Sequence, residues 1–234
     1  MNIVCHCSDL FSQVAAVSIV SIMENNKSTK EITFFIIEHN VTEQNKGKLS
    51  NMVESYGRKI FFIPMPDMIK DFDLHLKLIK KKWLFDSYCR LFLGTLLPEI
   101  DRVLYVDADT LCNGDISELW NLDLDDNIAA GVVDCLGEPY YNLFEMSKTS
   151  RYCNSGMMLF DLKKWREQNV EQQIRDYVDS HNGYVFFMEQ SVMNIVLAYK
   201  IKFLPPKLNV YTMIPTLTIK NLRLLLYCMR FYSD

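Results

Sequence analysis

NIVCHCSDLFSQVAAVSIVSIMENN, residues 2–26, sets two apolar runs of different texture end to end. Residues 2–7 are short and apolar, as a central strand requires. Residues 14–23 are apolar on every side, the pattern of a well-buried helix. Ser8 and Asp9 lie between the two runs and are placed to cap that helix, and Glu24, Asn25 and Asn26 end it. The alternation then repeats. ITFFII, residues 32–37, is rich in β-branched and aromatic residues and reads as a second buried strand. Thr42 and Glu43 open a polar helix whose apolar positions, Leu49, Met52, Val53 and Tyr56, recur at helical spacing, and Gly57 closes it. Residues 60–63 form a third strand, stopped by Pro64 and Pro66. A β-α-β-α-β order implies a parallel sheet, helices on both of its faces and right-handed crossovers.

Further along, the rhythm is interrupted and then resumes. Residues 67–84 carry no clean period and read as a loop or short helix. Residues 83–97 read as a helix ending at Pro98. Strands are expected at 103–106, 128–133 and 157–160, and helices at 162–168, 170–180 and 189–199. Residues 135–152 form an aromatic loop with Pro139, Tyr140, Tyr141 and Phe144. The remainder, with Pro205, Pro206 and Pro215, reads as irregular. No linker or internal repeat is visible, so residues 1–234 are expected to form a single domain.

Composition narrows the class. The chain has 234 residues, 49% hydrophobic and 23% charged, enough to bury a core without disulfides or metal staples. A net charge of −4 argues against a nucleic-acid partner. The seven cysteines are odd in number, irregularly spaced and without a C-x-x-C. Cys5-His6-Cys7 could suggest a metal cluster, but on a strand Cys5 and Cys7 share one face and His6 takes the other, so they read as buried thiols. Reduced cysteines, no signal-peptide pattern and no apolar run of about eighteen residues point to a cytoplasmic protein. The lysine run Lys77, Lys80, Lys81 and Lys82 is either a solvated helix face or a patch that touches an acidic acceptor or an anionic lipid surface, such as the inner face of a membrane. Self-association as a homodimer is the other partner expectation.

The chemistry lies at RVLYVDADTL, residues 102–111. An apolar strand delivers Asp107 and Asp109, and ligands of open α/β sheets sit at the carboxyl ends of the strands. Asp134 ends its strand in the same way. In extended backbone, residues i and i+2 project to one side. Two carboxylates there make a hard, doubly negative cleft that suits Mn²⁺ or Mg²⁺ and, through the ion, a nucleoside diphosphate. A phosphate-transferring aspartate and a merely acidic turn are the alternatives. Asp123, Asp125 and Asp126 read as a solvated turn. No glycine-rich loop follows the first strand, so a nicotinamide enzyme is not expected.

A longer run is more specific. Residues 90–110 read RLFLGTLLPEIDRVLYVDADT and continue through GDISELWNLDL, residues 114–124. With the opening strand and helix, CNSGMMLFDLKKW at 153–165 and Glu189-Gln190, this resembles glycosyltransferase family 8, retaining sugar transferases that include lipopolysaccharide galactosyltransferases and glycogenin. The resemblance spans nearly the whole chain in order. It implies a GT-A fold, a Rossmann-like nucleotide-diphospho-sugar transferase with a mixed, mainly parallel sheet. It implies a UDP-sugar donor and transfer of a hexose to a glycan, lipid-linked or protein acceptor, as in bacterial surface polysaccharide biosynthesis. Asp107 and Asp109 would hold the metal, with Ala108 between them in the donor site. Arg90 would reach the donor's phosphate or sugar. Asp134, Asn154, Glu189 and Gln190 would line the sugar pocket, Asp134, Glu189 and Gln190 being the catalytic candidates. Ser8, Asp9 and Phe11 would flank the uridine.

Three features depart from the family pattern or compete with it. Ser191 stands where relatives carry the second Asp of Asp-Gln-Asp, which is expected to alter the sugar pocket. None of His6, His39, His75 and His181 falls in the family's C-terminal H-x-x-G-x-x-K-P-W segment, which implies a truncated, weakly active chain or a degenerate sugar-nucleotide-binding module. The rival enzyme class is a haloacid-dehalogenase-type phosphatase with Asp107 as nucleophile and Asp109 as acid/base.

Overall fold

The computed structural model describes residues 1–65, 82–134, 146–147, 150–183 and 188–210. Seven strands pair in the order β3-β2-β1-β4-β6-β5-β7. They are β1 (Asn2–Ser8), β2 (Thr33–His39), β3 (Lys59–Pro64), β4 (Arg102–Val106), β5 (Ala129–Val133), β6 (Cys153–Asp161) and β7 (Ile201–Leu204). β1 pairs in parallel with both β2 and β4, β2 with β3, and β5 with β7. Only β6 runs against its neighbours, antiparallel to β4 and β5. That one reversal positions the site. It brings the first residues of β6 beside the last residues of β4 and β5, with Val106 opposite Met157 and Val133 opposite Cys153.

Helices cover both faces, as the alternation predicts. Helix α1 (Ser12–Asn25) and α2 (Glu43–Ser55) pack on one face, where Cys5 and Cys7 of β1 are buried with Ala15, Ile19, Leu49 and Val53. His6 points to the other face and meets Tyr105, as the strand period requires. On that face, α5 (Leu162–Glu167), α6 (Val170–Ser180) and α7 (Met188–Val196) contribute Trp165, Ile174, Val178 and Met193 to a second core with Tyr105 and Phe160. Among the described residues, the two remaining α-helices, α3 (Leu93–Leu96) and α4 (Ser117–Trp120), are single turns.

Four sequence expectations are corrected. Ser8 and Asp9 do not cap α1. Ser8 makes no capping bond, and Asp9 Oδ1 accepts from Thr42 N at 2.8 Å, Thr42 Oγ1 at 2.9 Å and Asn45 Nδ2 at 2.8 Å, fastening the start of α2. Residues 83–97 are not one α-helix. A 3₁₀ helix, Lys82–Phe92, precedes α3. Its three-residue turn stacks Ser87 and Arg90 along one edge, which aims Arg90 at the site. Third, residues 201–204 are a strand, missed because four residues containing Lys202 show too little pattern. The apolar Ile201 and Leu204 are buried, while Lys202 Nζ pairs with Asp125 at 2.7 Å. Fourth, the helix expected through residue 199 ends at Val196. The lysine run's side chains and the aromatic cluster at 139–144 lie outside the described residues.

Candidate functional site

β4 ends at Val106, and the backbone turns at once. Thr110 N–H donates to Asp107 O at 3.0 Å, closing a turn over Asp107-Ala108-Asp109-Thr110. The D-x-D pair is therefore carried by a turn and not by extended backbone, so strand alternation is not what sets its geometry. Asp107 is half-buried, Ala108 buried and Asp109 exposed. The neighbouring strand anchors the turn, because Asp107 N–H donates to Gly156 O at 2.8 Å. Gly156 leaves room for the two side chains beside it. A Cβ on it would lie 3.0 Å from Asp107 Oδ2 and 3.1 Å from Asn154 Oδ1.

Arg90 connects the parts. It is 2% exposed. Nη2 meets Asp107 Oδ1 at 2.8 Å and Glu189 Oε1 at 3.6 Å. Nη1 donates to Ser155 O at 2.7 Å and Ser155 Oγ at 2.9 Å, and Nε donates to Ser87 O at 3.1 Å. The guanidinium also lies 4.5 Å from the centre of the Tyr105 ring. Burial works against its charge, but Asp107, with Tyr105 and Glu189, more than offsets this and the pKa of Arg90 is raised. Glu189 is buried, and burial raises its pKa against the opposing pull of Arg90. It therefore faces the guanidinium as a partner of Arg90.

A second group of side chains surrounds Asp134, which is buried at the end of β5. Asp134 Oδ2 accepts from Asn154 Nδ2 at 2.9 Å and from Gln190 Nε2 at 3.1 Å. Gln190 Oε1 in turn accepts from Ser155 N at 2.9 Å and Ser155 Oγ at 3.1 Å. Ser155, bonded to both Arg90 and Gln190, joins the two groups. One continuous network thus holds Asp107, Arg90, Glu189, Gln190, Asp134 and Asn154, six of the residues expected from sequence.

Ser8, Asp9 and Phe11 sit apart from this network, at the neighbouring end of β1. Asp9 Oδ1 is committed to Thr42 and Asn45, while Phe11 is 48% exposed and free to offer a ring face. Ser191 follows Gln190 on α7. It is buried, and its hydroxyl bonds Tyr152 OH at 2.8 Å.

Several contributors escaped the sequence reading. His6 Nδ1 lies 2.7 Å from Tyr105 OH, and that hydroxyl is 3.3 Å from Asp107 Oδ1. Burial, and then Arg90, push His6 down to about 3 despite Asp109, so the ring is neutral near pH 7. Asn194, one turn after Gln190 on α7, grips the start of β6. Its Oδ1 accepts from Cys153 N at 2.5 Å and its Nδ2 donates to Cys153 O at 2.8 Å. The spacing of Asn194 from Gln190 was the available signal; nothing in the sequence marked His6 beyond its strand phase.

Among the described residues no three His, Cys, Asp or Glu side chains cluster as a complete metal site. The donors available to a cation are the carboxylates of Asp107 and Asp109, one oxygen of Asp107 being held by Arg90. Two hard oxygens fit a divalent ion that takes its remaining ligands from substrate and water.

A family profile described as glycosyl transferase family 8 matches residues 2–223. The chain belongs to glycosyltransferase family 8. It is 31% identical over 213 residues to a putative glycosyltransferase of Haemophilus influenzae, covering 89% of this chain and 63% of that protein. It is 32% identical over 203 residues to a lipopolysaccharide 1,2-glucosyltransferase of Escherichia coli K12, covering 84% and 58%. The chain thus spans about three fifths of the length of these family 8 relatives. The fold is that of GT-A transferases. A structure of the galactosyltransferase LgtC in complex with donor and acceptor sugar analogues superposes with a TM-score of 0.77 at 24% identity, covering 92% of this chain and 81% of that one. An LgtC active-site mutant gives 0.78 at 23% identity, covering 92% and 80%.

Proposed function

We propose that this family 8 chain moves a hexose from a UDP-sugar to a glycan, lipid-linked or protein acceptor, with retention of anomeric configuration, in bacterial surface polysaccharide biosynthesis. The observation that carries the reading is the single hydrogen-bonded network that ties the D-x-D turn to the sugar-pocket candidates through Arg90 and Ser155. A haloacid-dehalogenase-type phosphatase would also need a later lysine and a further acidic pair at a strand end, and Asp125-Asp126 precede β5 instead of ending a strand. A transferase must hold a diphosphate and a sugar at once, and the network spans both tasks.

Asp107 and Asp109 would hold Mn²⁺ or Mg²⁺. Such an ion, when bound, supplies Lewis-acid stabilisation of the departing diphosphate. The rest is done by side chains. Asp134, Asn154 and Gln190 orient the sugar and favour positive character at its anomeric carbon. Arg90 adds fixed positive charge beside the diphosphate end, and Phe11 offers a face to the uracil. The Gln190 amide oxygen is engaged by Ser155 N and Oγ, which argues against its use as a nucleophile. Front-face displacement follows. The acceptor hydroxyl attacks the anomeric carbon on the side from which UDP leaves. The bond to the β-phosphate oxygen breaks, its electron pair stays on UDP, and that oxygen takes the acceptor's proton. Mass-spectrometric trapping of a covalent glycosyl-enzyme at Gln190 or a neighbour would overturn this route.

A donor screen tests the function. UDP release from UDP-glucose and UDP-galactose, with Mn²⁺ or Mg²⁺, is compared with hydrolysis of p-nitrophenyl phosphate. Metal-dependent UDP release without phosphatase activity is expected. The reverse pattern would support the phosphatase reading, and UDP-sugar binding without release would indicate a binding module.

A further inference from the structure

The two amides that face Asp134 are oriented by the backbone. Ser155 N–H meets Gln190 at 2.9 Å, and Gly156 N–H meets Asn154 at 3.0 Å. A backbone N–H only donates, so the amide atom opposite each must be oxygen. The NH2 end of each amide then faces away from the strand, and both converge on Asp134 Oδ2. Consecutive residues of β6 thus fix the polarity of both.

The two amides are not held equally. Gln190 Oε1 has a second donor in the Ser155 hydroxyl at 3.1 Å, from the same strand. The second donor to Asn154 Oδ1 comes from far along the chain, as Asn209 Nδ2 lies 2.9 Å from it. Asn209 follows β7 and the 3₁₀ turn Pro206–Leu208, and its own N–H is tied to Pro206 O at 3.1 Å. Pro205 and Pro206 fix the backbone on the approach. Asn209 is half-buried.

We infer that Asn209 is a positioning residue. It holds the Asn154 amide with its oxygen toward β6 and its NH2 toward Asp134, and thereby sets how tightly the sugar half of the donor is bound. This rests on the UDP-sugar reading above. A flipped Asn154 would place its NH2 against the Gly156 N–H and the Asn209 NH2, and its oxygen against Asp134. With Asn209 present the flip is opposed from three sides. Without it, one opposing contact is gone and two remain, so the amide is held less tightly at the place where the sugar must be gripped.

The test compares the full-length protein with N209A and N209D. Affinity is measured by calorimetry for UDP alone and for whichever of UDP-glucose and UDP-galactose the wild type binds. A residue that only ties down the chain after β7 would weaken both ligands together. A residue acting on the sugar end weakens the UDP-sugar and leaves UDP alone. N209A is expected to bind the UDP-sugar about three- to tenfold more weakly, the loss of one hydrogen bond's worth of orientation. N209D is expected to be worse than N209A despite its closer shape, because its carboxylate opposes the Asn154 oxygen. Unchanged affinity for UDP shows that each variant is folded. Equal affinities for the UDP-sugar in all three proteins would overturn the inference, as would a parallel loss of UDP. A wild type that binds UDP but no UDP-sugar would instead overturn the reading beneath it.

Discussion

The ends of β4 and β1 lie side by side on one edge of the sheet, and they are built in opposite ways. At β4, Asp107 is held by Arg90, by the turn through Thr110 and by Gly156, and every donor nitrogen of Arg90 has a protein acceptor. At β1, Leu10 is 91% exposed and Phe11 48%, and the side chain of Asp9 is tied to α2. The difference matches two tasks. Charge that develops during bond breaking is best met by dipoles already in place. A nucleobase needs only a flat face, and an exposed ring supplies one without prior order.

If the β4 end is a rigid unit, its removal should be costly to the whole fold. Arg90→Ala leaves Asp107 and the buried Glu189 without their cation and is expected to destabilise the protein by about 3–5 kcal/mol, read by urea unfolding. A loss below about 1 kcal/mol would mean that this ion cluster is not structural. Gly156→Ala probes the same unit more gently. The new methyl presses on the Asp107 carboxylate and the Asn154 amide, which must give by a few tenths of an ångström, so transfer should fall several-fold in a protein that still folds. Activity near wild type would show that the site tolerates a shift of that size.

His6 extends the rigid region on the far side of Tyr105, and pH exposes its contribution. The folded state keeps the ring neutral to about 3, whereas its ordinary value is 6.5. Protonation therefore favours the unfolded chain. The contribution of His6 to stability is complete above about pH 6.5 and drains as pH falls toward about 3. Carboxylates titrate in the same window, so the wild type is compared with His6→Gln. The stability gap between them should narrow as pH drops from 7 to 4, and a constant gap would contradict the burial of a neutral ring. The smallest effect belongs to the open end. Phe11→Ala should change stability by no more than about 0.5 kcal/mol. It should weaken UDP binding roughly tenfold through lost stacking on the base.

The parts of this comparison were unequally legible in the sequence. Strand phase alone placed Cys5 and Cys7 in one core and His6 opposite, because a side-chain period of two leaves no other choice. Asp107, Asp134, Asn154 and Gln190 were visible as strand-end or motif residues. The bonds among them were not, since they depend on β6 running against its neighbours, and no local pattern in CNSGMMLF marks its direction. The turn at Asp107 escaped because Asp107 and Asp109 follow directly on a continuous apolar strand, and their i, i+2 spacing reads as a continuation of its extended backbone. The burial of Arg90 was not legible, because its depth comes from the 3₁₀ turn and from α7, nearly a hundred residues later in the chain. Asn194 and Asn209 carry no chemistry of their own and become meaningful only beside Cys153 and Asn154.

The most direct measurement is calorimetric titration of UDP into the protein with and without Mn²⁺, repeated for Asp109→Asn. The exposed carboxylate of Asp109 has no partner role in the network, so this variant should fold as the wild type does. The account predicts UDP binding that requires the metal and is lost with Asp109. Metal-independent binding of equal strength in both proteins would contradict it.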